Sequence, residues 1–141
     1  MTSYLLSVHA VDHSRAGSPS PHDPGVEAVG NVRALTDALD RDGALVCGGD
    51  LQPAGDASLV LVTSGVPSTT FGPAVAGPEQ LAAFWVIDVD AHQDALAWAG
   101  RAAAACRRPV ELRQLSGSSA RTAASTSVGG VPAGWSRWLT G

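Results

Sequence analysis

The stretch from Thr69 to Asp94 most constrains the fold, because it joins a turn, a strand and a helix in immediate succession. Residues Ala83 to Val89 form a short, almost wholly apolar run between a Gly-Pro turn and aspartates, which is typical of a buried central strand. Asp90 stands where a helix N-cap is favoured, and Gln93 completes the pattern of a capping box. The stretch therefore predicts a central strand that leads directly into a helix.

Similar patterns elsewhere complete an α+β order of elements. They predict strands at Tyr4 to Ala10, Ala44 to Leu51, Leu59 to Thr63, Ser68 to Phe71 and Val110 to Leu115, and a first helix at Val26 to Asp42. The second of these strands contains Gly48-Gly49, where the missing side chains permit a bulge or a close approach by another backbone. The order β-α-β, hairpin, β-α-β predicts a ferredoxin-like sandwich with both helices on one sheet face. Because the other face is left uncovered, we expect a homodimer.

The predicted domain covers residues 1–115, and residues 116–141 form a Ser/Gly/Ala-rich C-terminal extension. Trp135 and Trp138 near its end are expected to dock on the domain or on a partner subunit. The segment from Asp12 to Gly25, rich in Ser, Pro and His, is predicted to be a long loop.

Composition excludes several classes of function. The net charge is −4, all nine basic side chains are arginine, and no basic cluster is larger than Arg107-Arg108, so the sequence does not indicate a nucleic-acid-binding protein. No apolar run approaches the roughly 20 residues that span a bilayer, and we expect a cytoplasmic protein without membrane contact. Cys47 and Cys106 lack metal or redox spacing and are expected to be small buried side chains.

Several short motifs together resemble the YCII-related family in its DGPF branch, over about residues 3 to 115. They are Tyr4-Leu5-Leu6, Leu51-Gln52-Pro53, Phe71-Gly72-Pro73, Pro78-Glu79-Gln80-Leu81, Phe84-Trp85-Val86-Ile87-Asp88-Val89, Ala95-Leu96-Ala97-Trp98-Ala99 and Val110-Glu111-Leu112-Arg113. The resemblance implies a dimeric α+β barrel, in which two ferredoxin-like sheets face each other and leave a pocket between sheet and loops.

The chain departs from the family pattern at positions that bear on chemistry. Phe71 stands where the name-giving acidic residue is usual, and the Lys-Glu pair stands as Pro78-Glu79. Some YCII-type relatives carry a histidine in the first helix as half of a His-Asp pair, whereas Val26 to Asp42 contains none. That pair cannot be transferred to this chain.

Glu79, Glu111 and Arg113 are the best-supported polar candidates, because each matches a family position. The alternation of the last strand puts Glu111 and Arg113 on one face, where they could serve as acid-base group and anion clamp. The alternative is a structural ion pair.

A second candidate set lies near the ends of two strands. His9 shares a strand face with Ser7, and Asp50 ends a strand expected to be its neighbour, so that the two could act as a base and its orienting partner. The alternative is an ordinary polar residue at a strand end. Histidines and aspartates of the following loop match no tight metal-binding spacing, and neither a metal nor another cofactor is predicted.

Aromatic residues suggest the nature of the ligand. Phe71, in place of an acid, and Trp85 would make a pocket apolar, which suits a small, largely apolar metabolite. The leading hypothesis is a cofactor-independent enzyme that uses acid-base chemistry, of lyase, isomerase or cyclase type. The competing hypothesis is a non-catalytic ligand-binding or accessory module, because the dyad histidine and the acidic position are missing.

Overall fold

The computed structural model of the protein describes residues 1–11 and 26–117. The strands are β1 (Thr2–Val11), β2 (Leu45–Asp50), β3 (Ser58–Thr63), β4 (Val66–Phe71), β5 (Glu79–Val89) and β6 (Val110–Gln114). The helices are α1 (Val26–Arg41) and α2 (His92–Cys106), and a short 3-10 turn covers Ala54–Asp56. The predicted order of strands and helices is confirmed within these residues.

Four strands form one antiparallel sheet in the order β2-β5-β1-β6. The other two, β3 and β4, form a separate hairpin. In each β-α-β unit the two strands therefore run parallel and are separated by one strand of the other unit. This arrangement of an α+β protein is compatible with the predicted ferredoxin-like fold.

The core lies between the sheet and the two helices. Alternate residues of β1, namely Tyr4, Leu6 and Val8, are buried together with Leu39 of α1 and Ala102 of α2. The cluster is completed by Leu35, Ala44, Trp85, Ile87, Val89, Ala95, Ala99 and Cys106. Neither α1 nor α2 covers the sheet face that points away from this core, and we call it the helix-free face.

Trp85 anchors α1 to the sheet. Its side chain is 3% exposed, and its indole Nε1 donates a hydrogen bond to Thr36 Oγ1 at 3.1 Å. Thr36 Oγ1 in turn donates to the carbonyl oxygen of Val32 at 2.9 Å. Gly48 lies opposite Trp85, and a Cβ atom there would sit 2.9 Å from Trp85 Cδ1. The same atom would lie 3.0 Å from the Phe84 carbonyl oxygen, so the expected close approach of another backbone is confirmed at this glycine.

Removing the hydroxyl that accepts this indole hydrogen bond should destabilise the fold. We expect Thr36→Val to lower the free energy of unfolding by about 1–3 kcal/mol, because a buried N–H group loses its acceptor. Thr36→Ser, which keeps the hydroxyl, is the matched control in urea denaturation. Equal stability of the two variants would contradict a structural role for this hydrogen bond.

The helix ends agree only in part with the sequence patterns. Gly43, with φ of +74°, follows α1 as predicted, and the amide of Ala44 bonds the carbonyl of Leu39 at 3.0 Å. At α2 the N-cap is Ala91, which has no capping side chain, so the predicted capping box of Asp90 and Gln93 is wrong. The predicted loop at 12–25 and the C-terminal extension beyond residue 117 lie outside the described residues.

The predicted hairpin is confirmed, with a tighter turn than expected. Ser64 and Gly65 both have positive φ, at 51° and 78°, which is the turn geometry that matches the twist of paired strands. Val66 and Pro67, which precede the predicted strand Ser68 to Phe71, therefore belong to β4. A hydrogen bond of 2.7 Å from the Gly72 amide to the Ala57 carbonyl closes the base of the hairpin.

The two cysteines have different environments, and both are free thiols. Cys106 is buried as expected, and burial raises the pKa of its thiol, an effect that the nearby Arg108 partly opposes. The expected burial of Cys47 is wrong. An irregularity of β2 between Leu45 and Cys47 places Cys47 opposite Val86 at the exposed edge of the helix-free face.

Candidate functional site

The helix-free face combines apolar and polar side chains. Its centre holds Leu5, Phe84 and Val86, which are half-buried. The buried polar residues of the described chain, Ser3, Ser7 and Asp88, also lie on this face by strand alternation. The helix-free face therefore combines half-buried apolar side chains with buried hydroxyl and carboxylate groups.

Glu111 and Arg113 stand at the β6 side of this face. Glu111 lies opposite Ser7 and Arg113 opposite Leu5, whereas Val110 and Leu112 pack towards the helices. Arg113 Nε lies 3.0 Å from Glu111 Oε1, and their side chains remain 74% and 53% exposed, respectively. An ion pair this exposed contributes at most about 1 kcal/mol to stability, so stability alone is a weak reason for its presence.

Ser7 is the predicted site residue that lies nearest to this ion pair. It is 5% exposed and lies between Phe84 of β5 and Glu111 of β6 in the sheet register. The structure thus brings Ser7, Glu111 and Arg113 together on one face. A ligand on this face would meet a hydroxyl, a carboxylate and a guanidinium beside the Phe84 ring.

Asp88 was not among the predicted site residues. It is 2% exposed, and its carboxylate accepts a hydrogen bond from Ser3 Oγ across the β1–β5 pair. In the sequence, this aspartate marks the boundary of the apolar run. A carboxylate in the second-last position of the apolar strand β5 was the signal that could have identified it.

His9 and Asp50 are not brought together. The expected neighbouring of their strands is wrong, because β5 lies between β1 and β2 and puts them about 10 Å apart across the sheet. Within residues 1–11 and 26–117, no hydrogen bond or ion pair joins the two side chains, and both are exposed. Among the described residues, His9 and Asp50 therefore do not form a base with its orienting partner.

The remaining predicted residues lie away from Glu111. Glu79, expected in a loop, is the first residue of β5 and pairs with Val11, four residues along β1 from Ser7 and so about 13 Å away. Phe71 ends β4 on the separate hairpin, and Trp85 lies in the core on the other side of the sheet. Their roles in ligand binding stay predictions.

A cleft lies at one end of the sheet. This cleft of about 230 Å³ is bordered by the end of α1, the end of β5 and the start of α2, and its lining includes Asp42, Asp88, Asp90, Asp94 and Trp98. In the described parts of the chain, no group of three or more histidine, cysteine or acidic residues is arranged to hold a metal ion. The cleft is acidic, and it is separate from the Glu111–Arg113 pair.

Comparison with known proteins leaves the family open. No protein-family model matches the chain, and no curated protein matches it at a significant level. The YCII-related assignment therefore rests on the short motifs described above. Neither α1 nor α2 is long and apolar enough to cross a membrane.

Proposed function

We propose that the protein is a homodimeric, cofactor-independent enzyme that binds a small, largely apolar metabolite over the helix-free face and acts on it by acid-base chemistry. In this proposal the chain is a member of the YCII-related family and pairs as a dimeric α+β barrel. The observation that carries the proposal is the Glu111–Arg113 pair, which lies beside the buried Ser7 on a sheet face whose centre is apolar.

The chemistry follows from the two charged groups. Arg113 offers a planar set of donors that suits a carboxylate or an enolate oxygen of a substrate. If such an anion takes the place of Glu111 on Arg113, the Glu111 carboxylate becomes able to accept a proton from the bound molecule and return it at another atom. Leu5, Val86 and Phe84 would supply the apolar floor that favours a hydrophobic substrate.

The proposed dimer gives the site its second wall. A sheet face with half-buried apolar side chains and no covering helix gains stability by burying them against another surface. We expect light scattering at micromolar concentration to give the mass of two chains. A single-chain mass across the micromolar range would contradict the dimer.

Metabolite capture is the direct test of ligand and reaction. Purified protein is incubated with a metabolite extract, washed, and the retained compounds are identified by mass spectrometry before and after incubation. We expect an apolar anionic compound to be retained and to leave chemically changed. An Arg113→Gln variant is the matched control, because it removes the anion clamp from an exposed strand position. Equal retention by this variant would contradict the proposed site.

A second candidate function is ligand binding without catalysis. The observation that favours it is the separation of His9 from Asp50 by the width of β5, so that no base is oriented by a second group there. In that case the captured compound would be released from the protein chemically unchanged.

A further inference from the structure

The β3–β4 hairpin leaves an unusual amount of apolar side chain in contact with solvent. Every residue from 60 to 71 is exposed, including Val60, Val62, Val66 and Phe71. The sequence contains no charged residue between Asp56 and Glu79. Natural exposed strands normally carry charges that prevent unwanted pairing, and this hairpin has none.

One face of the hairpin is the more apolar. The register pairs Ser58 with Phe71, Val60 with Thr69 and Val62 with Pro67, and these pairs share one face by strand alternation. We name Val60, Val62, Pro67 and Phe71 the arm face. Phe71 is 88% exposed and Val62 67% exposed, whereas Leu59 on the opposite face is partly covered.

The low stability expected of an isolated two-stranded hairpin indicates that another surface covers the arm face in the functional protein. A hairpin of two strands alone is marginally stable in water, and the hydrogen bond between Gly72 and Ala57 only joins its two ends. Within the part of the chain that the structure describes, no hydrogen bond joins residues 58–71 to the main sheet or the helices. The four apolar side chains of the arm face expose on the order of 400–500 Å². Patches of that size on a single chain commonly mark an interaction surface.

We propose that the arm face docks on a second copy of this chain and forms the outer part of the dimer interface. This inference rests on the proposed homodimer and extends it beyond the helix-free face. A stable interface needs about 800 Å² from each partner, and the half-buried side chains of the helix-free face leave much of that unsupplied. The arm face supplies roughly half of the area that each partner needs. A twofold-symmetric dimer contains two arm faces, and both contribute to the interface.

The lack of charge on the arm also favours this occupant. A partner recognised through phosphates or acidic groups would need basic side chains, which the segment from 57 to 78 does not contain. A like copy presents an equally uncharged, apolar surface, so burial leaves no unpaired charge at the contact.

The test is the dimer dissociation constant of the full chain, measured by sedimentation equilibrium. The double variant Val60→Thr/Val62→Thr keeps the β-branched shape while replacing two methyl groups of the arm face by hydroxyls. Val66→Thr makes the same change at nearly equal exposure, 66% against 67% for Val62, on the opposite face of the hairpin. We expect the double variant to raise the dissociation constant by about 10–100-fold and Val66→Thr by less than about threefold.

Other outcomes would overturn the proposal in distinguishable ways. An unchanged dissociation constant in the double variant would show that the dimer forms without the arm, and the proposed dimer would stand. A lower melting temperature with an unchanged constant would show that the arm packs on its own chain. A larger increase in the dissociation constant for Val66→Thr than for the double variant would show that the opposite face of the hairpin forms the contact. A monomeric wild-type protein would overturn the proposal that the arm face forms a dimer contact. The metabolite-capture experiment would then test the ligand site independently of the dimer.

Discussion

Replacing Glu111 with glutamine should lower turnover of the captured substrate by about 10²-fold or more and leave the fold intact. Glutamine keeps the shape of the side chain but cannot accept the proton, so the loss falls on the chemical step. The wild-type ion pair is exposed, so its removal should change the melting temperature little. Steady-state kinetics and a thermal melt of the same preparation measure the two effects.

Glu79→Gln is the matched comparison for this variant. Both glutamates lie on strands of the same sheet and are exposed, but Glu79 pairs with Val11 at the far end of β1. We expect Glu79→Gln to retain turnover within about threefold, since a group roughly 13 Å away cannot reach the same proton. Equal losses in both variants would argue against a specific role for Glu111. If Glu111→Gln weakens ligand binding and no turnover is found in the wild type, the binding-module alternative is correct.

A side chain at Gly48 should destabilise the protein strongly. We expect Gly48→Val to lower the free energy of unfolding by about 2–3 kcal/mol, because its Cβ would meet Trp85 Cδ1 at 2.9 Å and the Phe84 carbonyl oxygen at 3.0 Å. The carbonyl belongs to the neighbouring strand and cannot rotate away, and the indole is held by Thr36. Denaturant unfolding at a fixed protein concentration measures the change.

The adjacent glycine provides an internal control for that prediction. Gly49 lies on the same strand, but a Cβ there would meet no atom within 4 Å. Gly49→Val should therefore change stability by no more than about 0.5 kcal/mol, since valine also suits a strand better than glycine does. Similar losses at both positions would show that backbone conformation, and not the contact with Trp85, requires glycine in β2.

The sequence predicted those features that depend on short-range periodicity. The apolar run at Ala83 to Val89 lies within β5, and the alternation of Val110 to Leu115 correctly separated Glu111 and Arg113 from the core side of β6. Gly43 was correctly identified as ending α1 because its positive φ is a local requirement. These signals need no knowledge of which strands are neighbours.

Periodicity did not predict features that depend on the order of the strands or on which residue precedes a helix. The pairing of β2 with β5 separates His9 from Asp50, and no periodicity in either strand encodes that order. Asp90 matches a capping pattern, but the chain enters α2 one residue later through Ala91. The position of Asp88 on the helix-free face depends on the register of β5 against β1, which pairs it with Ser3.

The position of β1 in the sheet also has a consequence for synthesis of the protein. This strand occupies residues 2–11, and its described partners are β5 and β6, which begin at residues 79 and 110. At about 5–20 residues per second, the ribosome needs several seconds or more after completing β1 to supply the first of them. During that interval Tyr4, Leu6 and Val8 have no sheet to join. The nascent chain should therefore depend on chaperone protection of these three side chains, and folding should begin only when β5 has left the ribosome.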